Sequence, residues 1–355
     1  MKVQRSIMTP LVLVLALAAA LCGALVPDAM AVSLTGAGAT FPYPIYSKWF
    51  DLYHEKTGIE INYQSIGSGG GIQQVKAGTV DFGASDAALS DSRLREMPRK
   101  VLHFPTVGGA VAMAYNLPSL KSPLNLTQEV VVGIYMGKVT VWNDKRIAAA
   151  NPGVDLPAAP ILPVHRSDGS GTTNIFTTYL SAVSSEWREL VGANTSVSWP
   201  VGIGGKGNEG VSGLVRQTQG AVGYVELAYA KQNRLAVARV KNRMGNFVEP
   251  TLTSTTAAAE GAAALLGKDV RTPIVDSPAP TAYPICGLTF LLVYQDQKDI
   301  AKAKMLADFI DWAIHDGQQV AEGLDYARLP DAVVKVNEGM LRKLTAGGKP
   351  LIAAQ

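Results

Sequence analysis

Apolar and polar positions alternate along the chain in two rhythms, after one long apolar run over 11–25. Ile59, Ile61 and Tyr63 alternate with polar neighbours, which predicts a strand. Further strands are predicted over 33–36, 80–84, 110–115, 161–165, 221–225 and 290–294. Between them the period lengthens. Ile45, Trp49, Leu52 and Tyr53 share one face of a helix predicted over 42–56, and Ile72 and Val75 sit on another that follows Gly67–Gly71. Helices are also predicted over 127–136, 172–180, 300–316 and 332–344, with a capped helix over 208–217 and a surface helix over 257–266. Residues 271–284 hold four prolines and predict an extended return segment. This alternation of strand and helix predicts α/β architecture with mainly parallel sheets.

Composition narrows the function. The 355 residues include 47% hydrophobic and 17% charged side chains, enough apolar material for substantial cores. Two cysteines and four histidines exclude a zinc-finger array or a disulfide-dense scaffold. A formal charge of +3 is not the footprint of a nucleic-acid binder.

Lys2 and Arg5 precede the apolar run, and Ala29-Met30-Ala31 follows it with small residues where a signal peptidase reads. These features predict a secretory signal over 1–31, cleaved after Ala31. A retained anchor is the alternative, because the run is long for a signal. Lipoprotein processing at Cys22 is disfavoured by the bulk of Leu21. Cleavage leaves Cys286 as the remaining thiol, at the head of an apolar run where a buried, unreactive packing role is expected.

Three turns of small and hydroxylated residues precede helices: Thr35 to Pro42, Gly67 to Gly71, and Arg166 to Thr173. A helix amino terminus leaves backbone donors unpaired and carries partial positive charge, so it holds an anion without a basic side chain. One such turn is commonly only a cap. Three in one chain, one preceded by Arg166, point to an oxyanion site. Gly205-Lys206 is followed by Gly207, so the phosphate loop of nucleotide-binding proteins is absent.

Two carboxylates accompany the turns. Asp168 either pairs with Arg166 or merely shapes the turn. Asp86 follows a predicted strand, where α/β folds place ligands. A carboxylate facing an anion is favourable only if the anion brings a proton, which hydrogen phosphate does at neutral pH and sulfate does not. A lost charged hydrogen bond costs about 1.5–3 kcal/mol.

At these residues the sequence resembles the periplasmic phosphate-binding proteins of Pst-type ABC importers. The matching segments are LTGAGATFPYPIYSKWF, NYQSIGSGGGIQQVKAGTVDFGASDAALSD, HRSDGSGTTNIFTTYLS, WPVGIGGKGNEGV, GAVGYVELAYAKQN and LDYARLP. The resemblance implies a two-lobe type II periplasmic-binding fold, with a cleft between lobes joined by crossing hinge segments near 105–108 and 285–289. Lobe I would comprise 32–106 and 281–355, and lobe II 107–280. Phosphate would be held by Thr40, the Phe41 amide, Ser68, Asp86, Arg166, Ser170, Gly171 and Thr172, with Asp168 orienting Arg166. The same resemblance implies a monomeric periplasmic receptor, without cofactor or metal, that delivers phosphate to membrane permease subunits and binds no nucleic acid. His165 and Gly69 depart from the residues often found there, and 93–102 and 242–284 resemble the family least.

Receptors for arsenate or sulfate are the alternatives within the class, and a secreted phosphatase-like hydrolase is the alternative outside it. A nucleophilic serine needs a base, and only His54, His103, His165 and His315 are available. His54 and His315 fall on predicted surface helices. His103 lies near a predicted hinge, and His165 should point away from Arg166 along a strand. Neither G-x-S-x-G nor H-E-x-x-H occurs, so a receptor rather than an enzyme is expected.

Overall fold

The computed structural model describes residues 33–120 and 122–351. The leader expected over 1–31 and Cys22 lie outside them. Among the described residues no helix is long and apolar enough to cross a membrane.

The chain opens with β1 (Leu34–Gly38), α1 (Tyr43–Thr57), β2 (Ile61–Ser65), α2 (Ser68–Ala77) and β3 (Phe82–Ser85), then runs into the long β4 (Val101–Tyr115). It continues through β5 (Leu162–Arg166), α3 (Gly171–Val183), β6 (Ile203–Gly205), α4 (Gly207–Gln217) and β7 (Ala221–Glu226). It returns along β8 (Cys286–Tyr294) and finishes with α5 (Ile300–Ile314) and α6 (Asp331–Leu341) among its larger elements. One strand path runs β2-β1-β3-β8-β4-β7-β5-β6.

The sheets are mixed rather than mainly parallel. β1 pairs parallel with β2 and β3, and β5 pairs parallel with β6 and β7. The central strands are antiparallel: β8 against β3 and β4, and β4 against β7. β4 is buried along its whole length and joins two sheets, pairing with β8 over Val101–Ala110 and with β7 over Val111–Tyr115. β8 runs back beside it, from Cys286 opposite Ala110 to Tyr294 opposite Val101, with an irregularity between Thr289 and Phe290. Two strands crossing in opposite directions must pair antiparallel, whatever the helix–strand alternation on either side.

Packing explains the remaining differences from the sequence pattern. Helix α1 buries Ile45, Tyr46, Trp49, Phe50 and Tyr53, while Leu52 is only half-buried. Tyr46, Phe50 and Tyr53 belong to an aromatic cluster with Tyr63, Phe309 and Trp312, which widens the apolar stripe beyond the expected positions. The helical segment expected over 257–266 forms two helices, Leu252–Gly261 and Ala263–Leu266, and buries Ser254, Thr255, Ala258, Ala259 and Leu266 rather than lying on the surface. Cys286 is fully buried and is a free thiol, and burial raises its pKa far above the usual value.

Candidate oxyanion-binding site

The site forms where strands end and helices begin. β1 can approach β3 closely only because Gly38 lacks a side chain: it has φ +146°, and a Cβ there would lie 2.0 Å from the Ala84 carbonyl oxygen. The chain then turns through Thr40 and Phe41 into α1. Thr40 is nearly buried, and its Oγ1 accepts from both the amide (3.2 Å) and Nδ2 (2.8 Å) of Asn208. The Phe41 carbonyl accepts from the Tyr326 hydroxyl at 2.6 Å, leaving the residue's amide at the head of α1.

Helix α2 starts at Ser68, so Gly69, Gly70 and Gly71 are its first turn and not a loop ahead of it. Ser68 Oγ accepts the amide of Asp86 at 3.2 Å and that of Gly171 at 3.0 Å. It therefore ties the heads of α2 and α3 to the end of β3.

The third turn carries the cation. Arg166, at the end of β5, is 4% exposed. Its Nε and Nη2 donate to Asp168 Oδ1 and Oδ2 at 2.7 and 2.5 Å, a bidentate pair that fixes the guanidinium plane. Asp168 Oδ1 also accepts the Gly207 amide at 3.0 Å. Burial opposes ionisation of Asp168, but these hydrogen bonds and the Arg166 charge outweigh it and hold the carboxyl below its usual range. Of the two sequence expectations for Asp168, pairing is the one the geometry realises. Arg166 Nη1 reaches Thr172 Oγ1 at 3.3 Å. Ser170 Oγ caps α3 by accepting the Thr173 amide at 3.0 Å, and its own hydroxyl hydrogen stays free to donate.

Asp86 is 5% exposed. Its Oδ1 accepts from Thr289 Oγ1 at 2.8 Å, beside the irregularity in β8, while Oδ2 is buried with no hydrogen-bond partner. Burial pushes its carboxyl up to about 7, with the Thr289 hydrogen bond and the Arg166 charge pulling the other way. A Cβ on Gly171 would lie 2.5 Å from Asp86 Oδ2 and from Ser68 Oγ, so glycine alone lets α3 approach this closely.

All eight expected ligand residues and Asp168 thus lie in one connected, largely buried cluster. Its chemistry is that of oriented amides and hydroxyls, one guanidinium neutralised by Asp168, and one unpartnered carboxylate oxygen. The geometry adds residues that the sequence pattern did not single out. Asn208 does not cap α4: Lys206 occupies the cap position without a side-chain bond, and the Asn208 side chain instead reaches Thr40, Thr172 and the Glu226 amide. The Tyr229 hydroxyl donates to the Thr40 carbonyl at 2.6 Å. The signal for α4 was present in Gly204-Gly205-Lys206-Gly207, a fourth glycine-rich run ahead of a helix.

The histidines stand apart from this chemistry. The His165 ring stacks on Trp199 at 5.0 Å, and His103 Nε2 accepts the Leu89 amide at 3.0 Å. Among the described residues no group of three or more His, Cys, Asp or Glu could hold a metal ion.

Helix heads converging across two crossing strands on one buried cluster of amide, hydroxyl and guanidinium donors give the fold of a solute-binding protein of the periplasmic-binding type. Residues 27–316 match the family model described as the PBP superfamily domain. The chain is 45% identical over 306 residues to the phosphate-binding protein PstS of Pasteurella multocida (strain Pm70), covering 86% of this chain and 88% of that one. It therefore belongs to the PstS family of phosphate-binding proteins. Among solved structures it resembles a phosphate-binding protein from Stenotrophomonas maltophilia (TM-score 0.66, 21% identity, 87% of this chain and 94% of that one). It also resembles an ABC-type phosphate transport receptor from Vibrio cholerae (TM-score 0.55, 19% identity, 84% and 100%).

Proposed function

We propose that the chain is a phosphate receptor that serves a phosphate ABC importer. Family membership supports this reading, and the single observation that carries it in the site is Asp86 Oδ2. It is a buried acceptor without a partner, set among donors from Arg166, Ser68, Ser170, Thr172 and the helix-head amides. A tetrahedral anion fits if most of its oxygens accept and one shares a proton with Asp86. Hydrogen phosphate meets that description, and sulfate does so only if Asp86 itself is protonated. Arsenate carries the same proton, so Asp86 discriminates against it only weakly.

Thr40, the Phe41 amide and Gly171, whose amide exchanges Ser68 Oγ for the anion on binding, complete the ligand shell, and Asp168 holds Arg166 in plane. In this reading lobe I comprises 32–106 and 281–355, and lobe II 107–280, hinged where β4 and β8 cross. Phosphate bridges the two and stabilises the closed form, by as much as its affinity for the two forms differs. The Gly69 amide already donates to the Gly169 carbonyl at 2.8 Å between the two halves. The receptor works outside the cytoplasm as a monomer, docks on membrane permease subunits and performs no catalysis. Calorimetric titration with inorganic phosphate tests this: one equivalent taken up, with no turnover of a phosphate monoester, is the expected result. A flat titration removes the assignment, and turnover moves the chain to the hydrolases.

A further inference from the structure

The Asn208 side chain touches two of the site's hydroxyls but has no place among the ligands. Its Oδ1 accepts the Glu226 backbone amide at 2.9 Å, which fixes which end of the carboxamide is oxygen. The Nδ2 end then has two hydrogens to give, and two acceptors lie in reach: Thr40 Oγ1 at 2.8 Å and Thr172 Oγ1 at 3.2 Å. Each threonine oxygen receives a second donor as well. Thr40 takes the Asn208 amide at 3.2 Å, and Thr172 takes Arg166 Nη1 at 3.3 Å. A hydroxyl has two lone pairs and one hydrogen. With both lone pairs engaged, each of these hydroxyls can only donate.

We infer that Asn208 is a specificity-determining positioning residue that locks the Thr40 and Thr172 hydroxyls as donors toward the bound anion. The inference rests on the phosphate-receptor reading above and extends it. A free hydroxyl rotor accepts from a protonated ligand oxygen as readily as it donates to a bare one. With both rotors locked, oxygens meeting Thr40 and Thr172 must be unprotonated, which leaves Asp86 as the charged acceptor for the ligand's proton and Ser170, with one lone pair open, as a weaker neutral one. Asn208 thereby sets the protonation state that the site accepts, without touching the anion. The titratable groups around this device are Arg166 on Thr172, Asp168 on Arg166, Glu226 behind Asn208, Tyr229 between Thr40 and Glu209, and Asp86 beside Ser68, and each is retained in the variants below.

The test is calorimetry of the full chain with inorganic phosphate, for the unmodified protein, Asn208→Ala, Asn208→Ser, Thr172→Val and the Asn208→Ala/Thr172→Val double variant. The serine variant covers failure of the alanine one to fold, which thermal melting reports. Asn208→Ala should weaken binding about 30-fold at about pH 8, where phosphate is mostly dianionic, and several-fold less at about pH 5.5, where the monoanion's extra hydroxyl meets freed rotors. In the Thr172→Val background the same substitution should cost at least about threefold less, because one of its two targets is gone. A loss by one common factor at both pH values, additive with Thr172→Val, would show that Asn208 only props the cleft and overturns the inference. Unaltered affinity overturns it too. No uptake by the unmodified chain instead sinks the receptor reading itself, and this role with it.

Discussion

Ser68 Oγ accepts the Gly171 amide at 3.0 Å, joining the first residue of one helix to the first residue of another across 103 positions of sequence. The same oxygen takes the Asp86 amide, so two segments remote in the chain meet on one hydroxyl. Gly171 makes this approach possible. A methyl group there would sit 2.5 Å from both Ser68 Oγ and Asp86 Oδ2, far inside contact distance, and the buried Asp86 carboxyl has little room to retreat. Gly171→Ala should therefore cost at least about 100-fold in phosphate affinity, with a small change in melting temperature because the strain falls on the cleft. Titration and thermal melting together check this, and near-native affinity would show that α3 can back away.

Arg166 and Asp168 set up the second expectation. Removing the guanidinium leaves Asp168 half-buried with only the Gly207 amide as partner, and breaking one side of a buried pair costs about 3–5 kcal/mol. Arg166→Ala should abolish measurable phosphate binding and lower the melting temperature. Arg166→Lys should restore part of the stability but little affinity, since an ammonium cannot engage Asp168 and the anion in one plane. Equal recovery of both would mean that charge alone, not the fork geometry, is what the cleft uses.

The helix heads were legible because their signal is local. Gly, Ser and Thr ahead of an apolar helix is a short-range pattern, and it marks the three turns that hold Thr40, Ser68 and Ser170 to Thr172, while the choice of those residues within the turns comes from the family resemblance. The partners of those residues were not legible in the same way. Thr289 reaches Asp86 over 203 positions, and Asn208 reaches Thr40 over 168. Read locally, an Asn at the head of a helix pattern suggests a cap; only the tertiary fold reveals that the helix starts at Gly207 and that the Asn208 side chain turns into the cleft. Sheet direction failed for a related reason. The alternation seen around β1–β3 and β5–β7 is parallel, but the crossing of β4 and β8 depends on how the halves connect, which periodicity does not encode.

Asp86 gives the site a pH-dependent selectivity. Its carboxyl is pushed up to about 7 by burial, so below that pH it carries a proton of its own. A protonated Asp86 donates to an oxygen of sulfate, whereas the ionised form confronts it with a bare lone pair. Sulfate should therefore compete with phosphate more effectively as pH falls through about 7. In Asp86→Asn, whose amide donates at every pH, the share of this change that belongs to Asp86 should vanish, leaving only the change due to phosphate's own ionisation. Competition titrations on both proteins measure this, and a pH-independent ratio in the unmodified chain would place discrimination elsewhere.

Asp86 and His103 should pull the stability of the unliganded protein in opposite directions across the same pH range. The His103 imidazole is buried and accepts the Leu89 amide, and burial, followed by the Arg271 charge, lowers it to about 4 from an ordinary 6.5. The unfolded chain binds this proton first, so the stability held by neutral His103 is present above about 6.5 and lost as pH falls toward about 4. Asp86 has the reverse sign: the folded chain keeps its proton up to about 7, so its contribution declines as pH rises from about 4 to about 7. Each effect is of the order of 3–4 kcal/mol and they largely cancel. His103→Gln retains an acceptor for Leu89 but removes one arm, so relative to the unmodified chain its melting temperature should fall more steeply toward neutral pH. Asp86→Asn removes the other arm, and its melting temperature should fall more steeply toward acid. Melts of the three proteins between about pH 4 and pH 7.5 decide the matter, and parallel curves would mean that neither buried group titrates in this range.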